Sequence, residues 1–187
     1  MTVNGNFTLG PGAVFQVELD ATPNNSDKVF VVGGTVNITG ATLQVLAQNG
    51  AYNPSTDYVI IDNDGNDAVN GTFGSVSTNF AFLTPIVAYD GGDGNDVVLT
   101  LLRTVVPPDS GGGSSGGGSG GEPNYLSLCS VAQTRNQCNV AEALDKFPFA
   151  NSLFLSVLTQ TVDGARQAFD ALSGEVHATV AGTLVDD

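Results

Sequence analysis

The sequence predicts a mainly β fold followed by a short α-helical tail, and three observations predict it. Between Thr2 and Leu102, β-branched and aromatic residues gather in runs of four to six, with a Gly, Asn, Asp or Pro turn signal about every 8–12 residues. Ser110 to Gly121 is Gly and Ser alone, twelve residues with no side chain to pack. Beyond Pro123 the apolar residues recur every three or four positions, the spacing of amphipathic helices.

Taken in order, Phe7, Leu9, Val14, Phe15, Val17 and Leu19 read as one strand pair around Gly10-Pro11-Gly12. Val29–Val32, Val36, Ile38, Leu43, Val45 and Leu46 follow, separated by Gly33-Gly34 and Thr39-Gly40. Comparable elements from Phe7 to Val29 and on to Leu46 recur at roughly 20 residues, the turn of a parallel β-helix. Periodicity by itself fits a β-sandwich equally well. Tyr58–Ile61 is a further strand, and Phe80–Tyr89, Asp90–Asn95 and Asp96–Leu102 read as strand, turn and strand of a β-hairpin. Val105-Val106-Pro107-Pro108 ends the strand region.

In the tail, Thr134 and Gln137 fit a capping box, and Val140, Ala141, Leu144 and Phe147 line one helix face before Pro148. A second helix is expected over Ser152–Thr161, with Leu153, Phe154, Val157 and Leu158 apolar. Asp163 caps a third that carries Ala165, Ala168, Phe169 and Leu172, and Ser173 starts a fourth through Val176, Val180 and Leu184. The resulting division is residues 1–104 as the β unit, 105–124 as a Pro/Gly/Ser-rich flexible linker and 125–187 as a helical segment.

The bulk numbers narrow the function classes. Five basic against 19 acidic residues give a net charge of −14, a field that repels nucleic acid and anionic lipid. Twenty-four glycines, no tryptophan and 13% charged residues suit short strands and many turns better than an ordinary enzyme. No uninterrupted apolar run approaches the ~20 residues of a membrane helix. The opening Met1-Thr2-Val3-Asn4-Gly5 lacks the basic and apolar stretches of a signal peptide, and reads as a start placed on a fragment.

Candidate sites are few. Gly91 to Leu99, GGDGNDVVL, matches the calcium-binding nonapeptide G-G-x-G-x-D-x-U-x. That repeat works by stacking; one copy supplies half a coordination shell, so Gly91, Gly92, Gly94 and Asp96 read as a structural turn. Asp62-Asn63-Asp64-Gly65-Asn66-Asp67 fails as an EF-hand loop, because positions 6 and 12 hold Asp67 and Phe73 instead of Gly and Glu. Asp62, Asp64, Gly65 and Asp67 therefore also read as turn residues. His177, with Ser173 and Asp170 on one helix face, has no oxyanion hole or G-x-S-x-G elbow beside it and reads as a surface or packing residue. No catalytic residue, cofactor or metal ligand is assigned, and an enzyme is not expected.

Cys129 and Cys138 stand nine residues apart. On one continuous helix they would point to opposite sides about 13 Å apart along the axis. A helix that starts only at Thr134 lets the chain turn back, so a disulfide and a pair of buried thiols both remain open.

IDNDGNDAVNGTF with a hairpin ending GNDVVLTL resembles the C-terminal end of a bacterial autotransporter passenger. TRNQCNVAEALD followed by ARQAFDALSGEVHATVAGTL resembles the segment that joins such a passenger to its membrane β-barrel. The resemblance selects the solenoid over the sandwich: it implies the C-terminal rungs of a right-handed parallel β-helix closed by a β-hairpin cap, then a Gly/Ser linker and a short α-helical tail. It also implies a non-catalytic role, templating the folding and surface display of the passenger and linking it to the translocator. The implied partners are the rest of its own passenger and its own outer-membrane β-barrel, and the implied location is the cell surface of a Gram-negative bacterium. Passage through the oxidising periplasm favours the Cys129–Cys138 disulfide. The alternative is an adhesin-type module whose β-helix binds a host or cell-surface ligand.

Overall fold

The structure, a computed structural model, describes residues 1–21, 25–48, 52, 56–106 and 124–174. Three passes of the chain lie over one another. The first contains β1 (Thr2–Asn4), β2 (Phe7–Thr8) and β3 (Val14–Leu19); the second β4 (Val29–Val32), β5 (Val36–Asn37) and β6 (Thr42–Ala47). The third contains β7 (Asp57–Asn63), a bridge at Asn70 and β8 (Ser75–Thr78). Each strand pairs in parallel with its counterpart in the next pass, giving the runs β1-β4-β7, β2-β5 and β3-β6-β8.

The register corrects two expectations. Thr2 lies opposite Phe30 and Val14 opposite Thr42, 28 residues on. Val29 then lies opposite Ile61 and Thr42 opposite Ser75, 32 and 33 residues on. The roughly 20-residue spacing came from treating Phe7 and Val29 as equivalent, whereas Phe7 pairs with Val36. The two runs around Gly10-Pro11-Gly12 likewise do not pair with each other; β2 and β3 belong to different sheets because the turn changes the strand's direction instead of reversing it.

Alternation does the sorting. In β3, Val17 and Leu19 are buried while Gln16 and Glu18 face out, and β4 buries Val29 and Val31 but exposes Phe30 and Val32. The inward residues share one core with Val36, Ile38, Leu43, Val45, Tyr58 and Ile60. Phe15 and Phe73 stack at 6.2 Å between ring centroids, tying the first pass to the third. At the corners the passes approach so closely that a Cβ on Gly34 would run into the Gly5 backbone.

The order then reverses. β9 (Leu83–Gly91) and β10 (Asp96–Arg103) form an antiparallel hairpin, and β10 also pairs antiparallel with β7, Leu99 opposite Tyr58. The sheet runs β1-β4-β7-β10-β9. Its outer strand β9 carries Pro85, which has no N–H to offer a further strand and is tolerated at a sheet edge. Tyr89 of β9 accepts the Phe73 N–H at 2.9 Å through its hydroxyl, pinning the hairpin to the third pass.

The tail packs on this end. Val106 N–H donates to Asn124 C=O at 2.7 Å and Leu126 N–H to Thr104 C=O at 2.8 Å, around an antiparallel Val105–Tyr125 bridge. A short 3-10 helix, Leu128–Val131, precedes α1 (Arg135–Leu144), α2 (Ser152–Leu158) and α3 (Val162–Ser173). Thr134 and Gln137 make the expected capping box on α1. Three details differ from expectation. Thr161, not Asp163, caps α3, accepting Gly164 N–H, because its hydroxyl sits one residue before the first helical residue. The second helix ends at Leu158. Phe147, Leu153 and Leu172 are exposed, Phe147 because α1 stops at Leu144 and its stripe ends there. The buried faces of the helices, Ala141, Leu144, Phe154, Val157, Ala165 and Phe169, join the same core as Phe82, Leu83 and Leu101. The expected fourth helix and His177 lie outside the described residues. No helix among the described residues is long and apolar enough to cross a membrane.

Candidate functional site

Two constructions stand at the hairpin end, one of turns and one of charged and aromatic side chains. The turns come first because they gather most of the residues the sequence singled out. β7 ends in Asp62 and Asn63 and leads into the turn Asp64–Asp67, while the hairpin turn Gly92–Asn95 leads into Asp96. The two turns lock together through their bases. Asp96 Oδ1 accepts Asn63 N–H at 2.9 Å; Asn95 Nδ2 donates to Gly65 C=O at 3.2 Å and Asp67 C=O at 3.3 Å; Asn63 Nδ2 donates to Asp67 C=O at 2.8 Å. Asp64 carboxylate accepts Gly33 N–H at 2.8 Å, linking the turn to the second pass. Asp62 reaches Lys28 at 3.4 Å. Gly91 and Gly92 have no room for a side chain: a Cβ on Gly92, where φ is +58°, would meet the Asp96 carboxylate. Gly94 is at φ +113° at the exposed tip.

The electrostatics of this cluster are set by Asp96. Burial pushes its carboxyl above the usual carboxylate value; the Asn63 N–H opposes this, and Asp62 and Asp93 add to it. Nearby, Tyr52 is fully enclosed against Phe80, its hydroxyl donating to Leu19 and Gln48 carbonyls, and burial pushes its pKa up to about 12.

No family model, curated protein or solved structure matches this chain. The site is therefore read on its own geometry.

The second construction is a clasp centred on Arg103, at the end of β10. Its guanidinium bonds Asp145 at 3.1 Å and lies over the rings of Tyr125 at 4.6 Å and Phe154 at 5.1 Å. Asp145 also accepts Ser127 Oγ–H at 2.8 Å and Leu128 N–H at 3.0 Å. One arginine thus holds strand β10, the 3-10 helix, α1 and α2 together. Gln137 does the same between helices, closing the α1 capping box while donating to Asp170 at 2.8 Å. Cys129 and Cys138 form a disulfide with Cα atoms 4.6 Å apart, tying the 3-10 helix to the first turn of α1.

Sequence reasoning missed Arg103, Asn63, Asn95 and Tyr89. The first had a signal, as an isolated base in a chain with few of them; the others do not stand out among so many Asn and turn residues. Asp170 lies on α3, where it bonds Gln137, and Ser173 donates to Asp170 C=O, so both have structural duties.

Proposed function

We propose that this segment is the membrane-proximal end of an autotransporter passenger, a non-catalytic cap that templates and anchors a right-handed parallel β-helix. One observation carries the reading: the strand order β1-β4-β7-β10-β9, in which parallel stacking stops and an antiparallel hairpin covers the last parallel strand. A stack of parallel passes grows by adding each pass to the edge of the one before, so it needs one end that is stable without a further neighbour. Here that end has the hairpin, three helices, a disulfide and the Arg103 clasp.

The mechanism follows from nearest-neighbour energetics. The third pass pairs on one side with β10 and β9, which are local in sequence and close early. β4 and β6 then find preformed edges in β7 and β8, and β1 and β3 find them in β4 and β6. Folding proceeds from the C-terminal side outward, so a chain emerging from a translocator C-terminus first is drawn forward as it stacks, without nucleotide hydrolysis. The β-barrel joined to the tail and the remaining passenger are the partners in this reading, and the cell surface is the location. The turns supply order; no side chain is assigned to chemistry.

Deletion of residues 58–102 from a passenger carrying this segment tests the proposal. The expected result is a protease-sensitive passenger that is poorly displayed; normal display of a protease-resistant passenger contradicts it. A second reading, an adhesin-type surface, has one observation behind it. A groove of about 540 Å3 between β3 and β4 is lined by Met1, Phe15, Lys28 and Phe30, with Lys28 over the Phe30 ring at 5.1 Å. Binding of the isolated chain to a glycan array, lost in Phe30→Ala, would favour that reading.

A further inference from the structure

The two turns at the hairpin end are the same tetrapeptide twice, Asp64-Gly65-Asn66-Asp67 and Asp93-Gly94-Asn95-Asp96. On the nonapeptide pattern, residues 91–99 match throughout, and residues 62–70 keep Gly65, Asp67 and Val69 at its fourth, sixth and eighth positions. Asp62 and Asn63 replace its two glycines. The fold brings the copies into contact, as Asn95 bonds the Gly65 and Asp67 carbonyls and Asp96 bonds Asn63. A single copy offers half a shell; a second turn now stands against it.

The hydrogen bonding of the cluster is unbalanced in one direction. Both asparagine amides spend their Nδ2 donors on the Asp67 carbonyl, at 2.8 and 3.3 Å, so the two groups lie side by side. Their Oδ1 atoms are buried and have no donor; Asn63 is 1% and Asn95 5% exposed. Among the described residues these are two of three such unpartnered buried side-chain atoms. Beside them the Asp96 carboxylate is 7% exposed, under the negative field of Asp62 and Asp93. Two oxygen acceptors without donors and one buried carboxylate are what a hard cation takes, and amide oxygens with a single carboxylate suit the flexible shell of calcium better than the strict octahedron of magnesium.

We propose that the paired turns form a calcium site, with Asn63 Oδ1, Asn95 Oδ1 and the Asp96 carboxylate as protein ligands. Water and backbone carbonyls of the turns complete the shell. Among the described residues no three carboxylates converge here, which places the affinity in the weak class of about 0.1–1 mM found in extracellular modules. Occupancy would neutralise Asp96 and seat the hairpin more firmly on β7. The site is independent of the secretory reading above.

The test is calorimetric titration of the full chain, after chelator treatment, with calcium chloride and separately with magnesium chloride at matched ionic strength, paired with thermal melts. Calcium is expected to bind at one site per chain and raise Tm by several degrees, with magnesium giving little. Asp96→Asn keeps an acceptor for the Asn63 N–H and removes the charge, so it should fold and lose at least tenfold in calcium affinity. Asn95→Ala should weaken binding as well while leaving the disulfide and helices intact. An absence of binding heat in the wild type, an equal response to magnesium, or an unchanged calcium response in Asp96→Asn overturns the proposal.

Discussion

Arg103 is the residue on which the largest single effect is expected. Its side chain is 15% exposed and that of Asp145 21%, so the pair is screened less than a surface pair yet is not sealed from water. Arg103→Ala removes the pair and both ring contacts, and leaves Asp145 short of its strongest partner. We expect a loss of about 2–3 kcal/mol in urea denaturation, below the range for a fully buried pair. Arg103→Met with Asp145→Leu should recover much of it, since both charges then leave together. At Asp96 the prediction concerns pH. Its folded pKa lies above the unfolded value near 3.8, so its contribution to stability is fully present below that value. It is lost as pH rises through the higher folded value. The groups that set the shift besides burial are Asn63 N–H, Asp62, Asp93 and Lys28. In calcium-free buffer Asp96→Asn should be at least as stable as the wild type at pH 7, and should lack that part of the pH dependence. Urea midpoints collected from pH 4 to 7 decide it.

Elements differ in how much of them the sequence shows. The α1 cap was legible because Thr134 and Gln137 carry a local code: a hydroxyl and an amide three residues apart satisfy free N–H groups whatever else the chain does. The hairpin was legible for a similar reason, its turn being rich in Gly, Asp and Asn between two apolar runs. The assignment of β2 and β3 to separate sheets was not, because Gly10-Pro11-Gly12 looks the same whether it reverses a strand or bends it; the partners, Val36 and Thr42, lie 28 or 29 residues away. β8 (SVST) has too few apolar residues to stand out, and is a strand because β6 offers it an edge. The contact between the two DGND turns depends on that same long-range pairing, and no spacing rule carries it. Two element-scale outcomes follow. Thr134→Ala should cost about 1 kcal/mol by removing one half of the capping box. Reduction of Cys129–Cys138, which closes a small loop, should cost roughly 2–3 kcal/mol, read as a lower urea midpoint, and alkylation before and after reduction should count two thiols.

At the scale of the molecule, the β passes and the helical tail share one core although the Gly/Ser run separates them in sequence. Thr104–Val106 and Asn124–Leu126 are hydrogen-bonded neighbours, so the chain leaves and returns at the same place. Cleavage at a protease site introduced within residues 110–121 should therefore leave two fragments that co-elute on gel filtration, and that separate in Arg103→Ala at a lower urea concentration than in the wild type.

The central claim is that stability is graded along the stack, highest at the hairpin end and lowest in the first pass. Native-state hydrogen exchange on the full chain measures this directly. The slowest amides should be those of β7, β10 and the buried turns of α1 and α3, with β4 and β6 intermediate and β1 and β3 fastest. Equal protection of all three passes, or a first pass that exchanges more slowly than β7 and β10, would contradict a template at the C-terminal end.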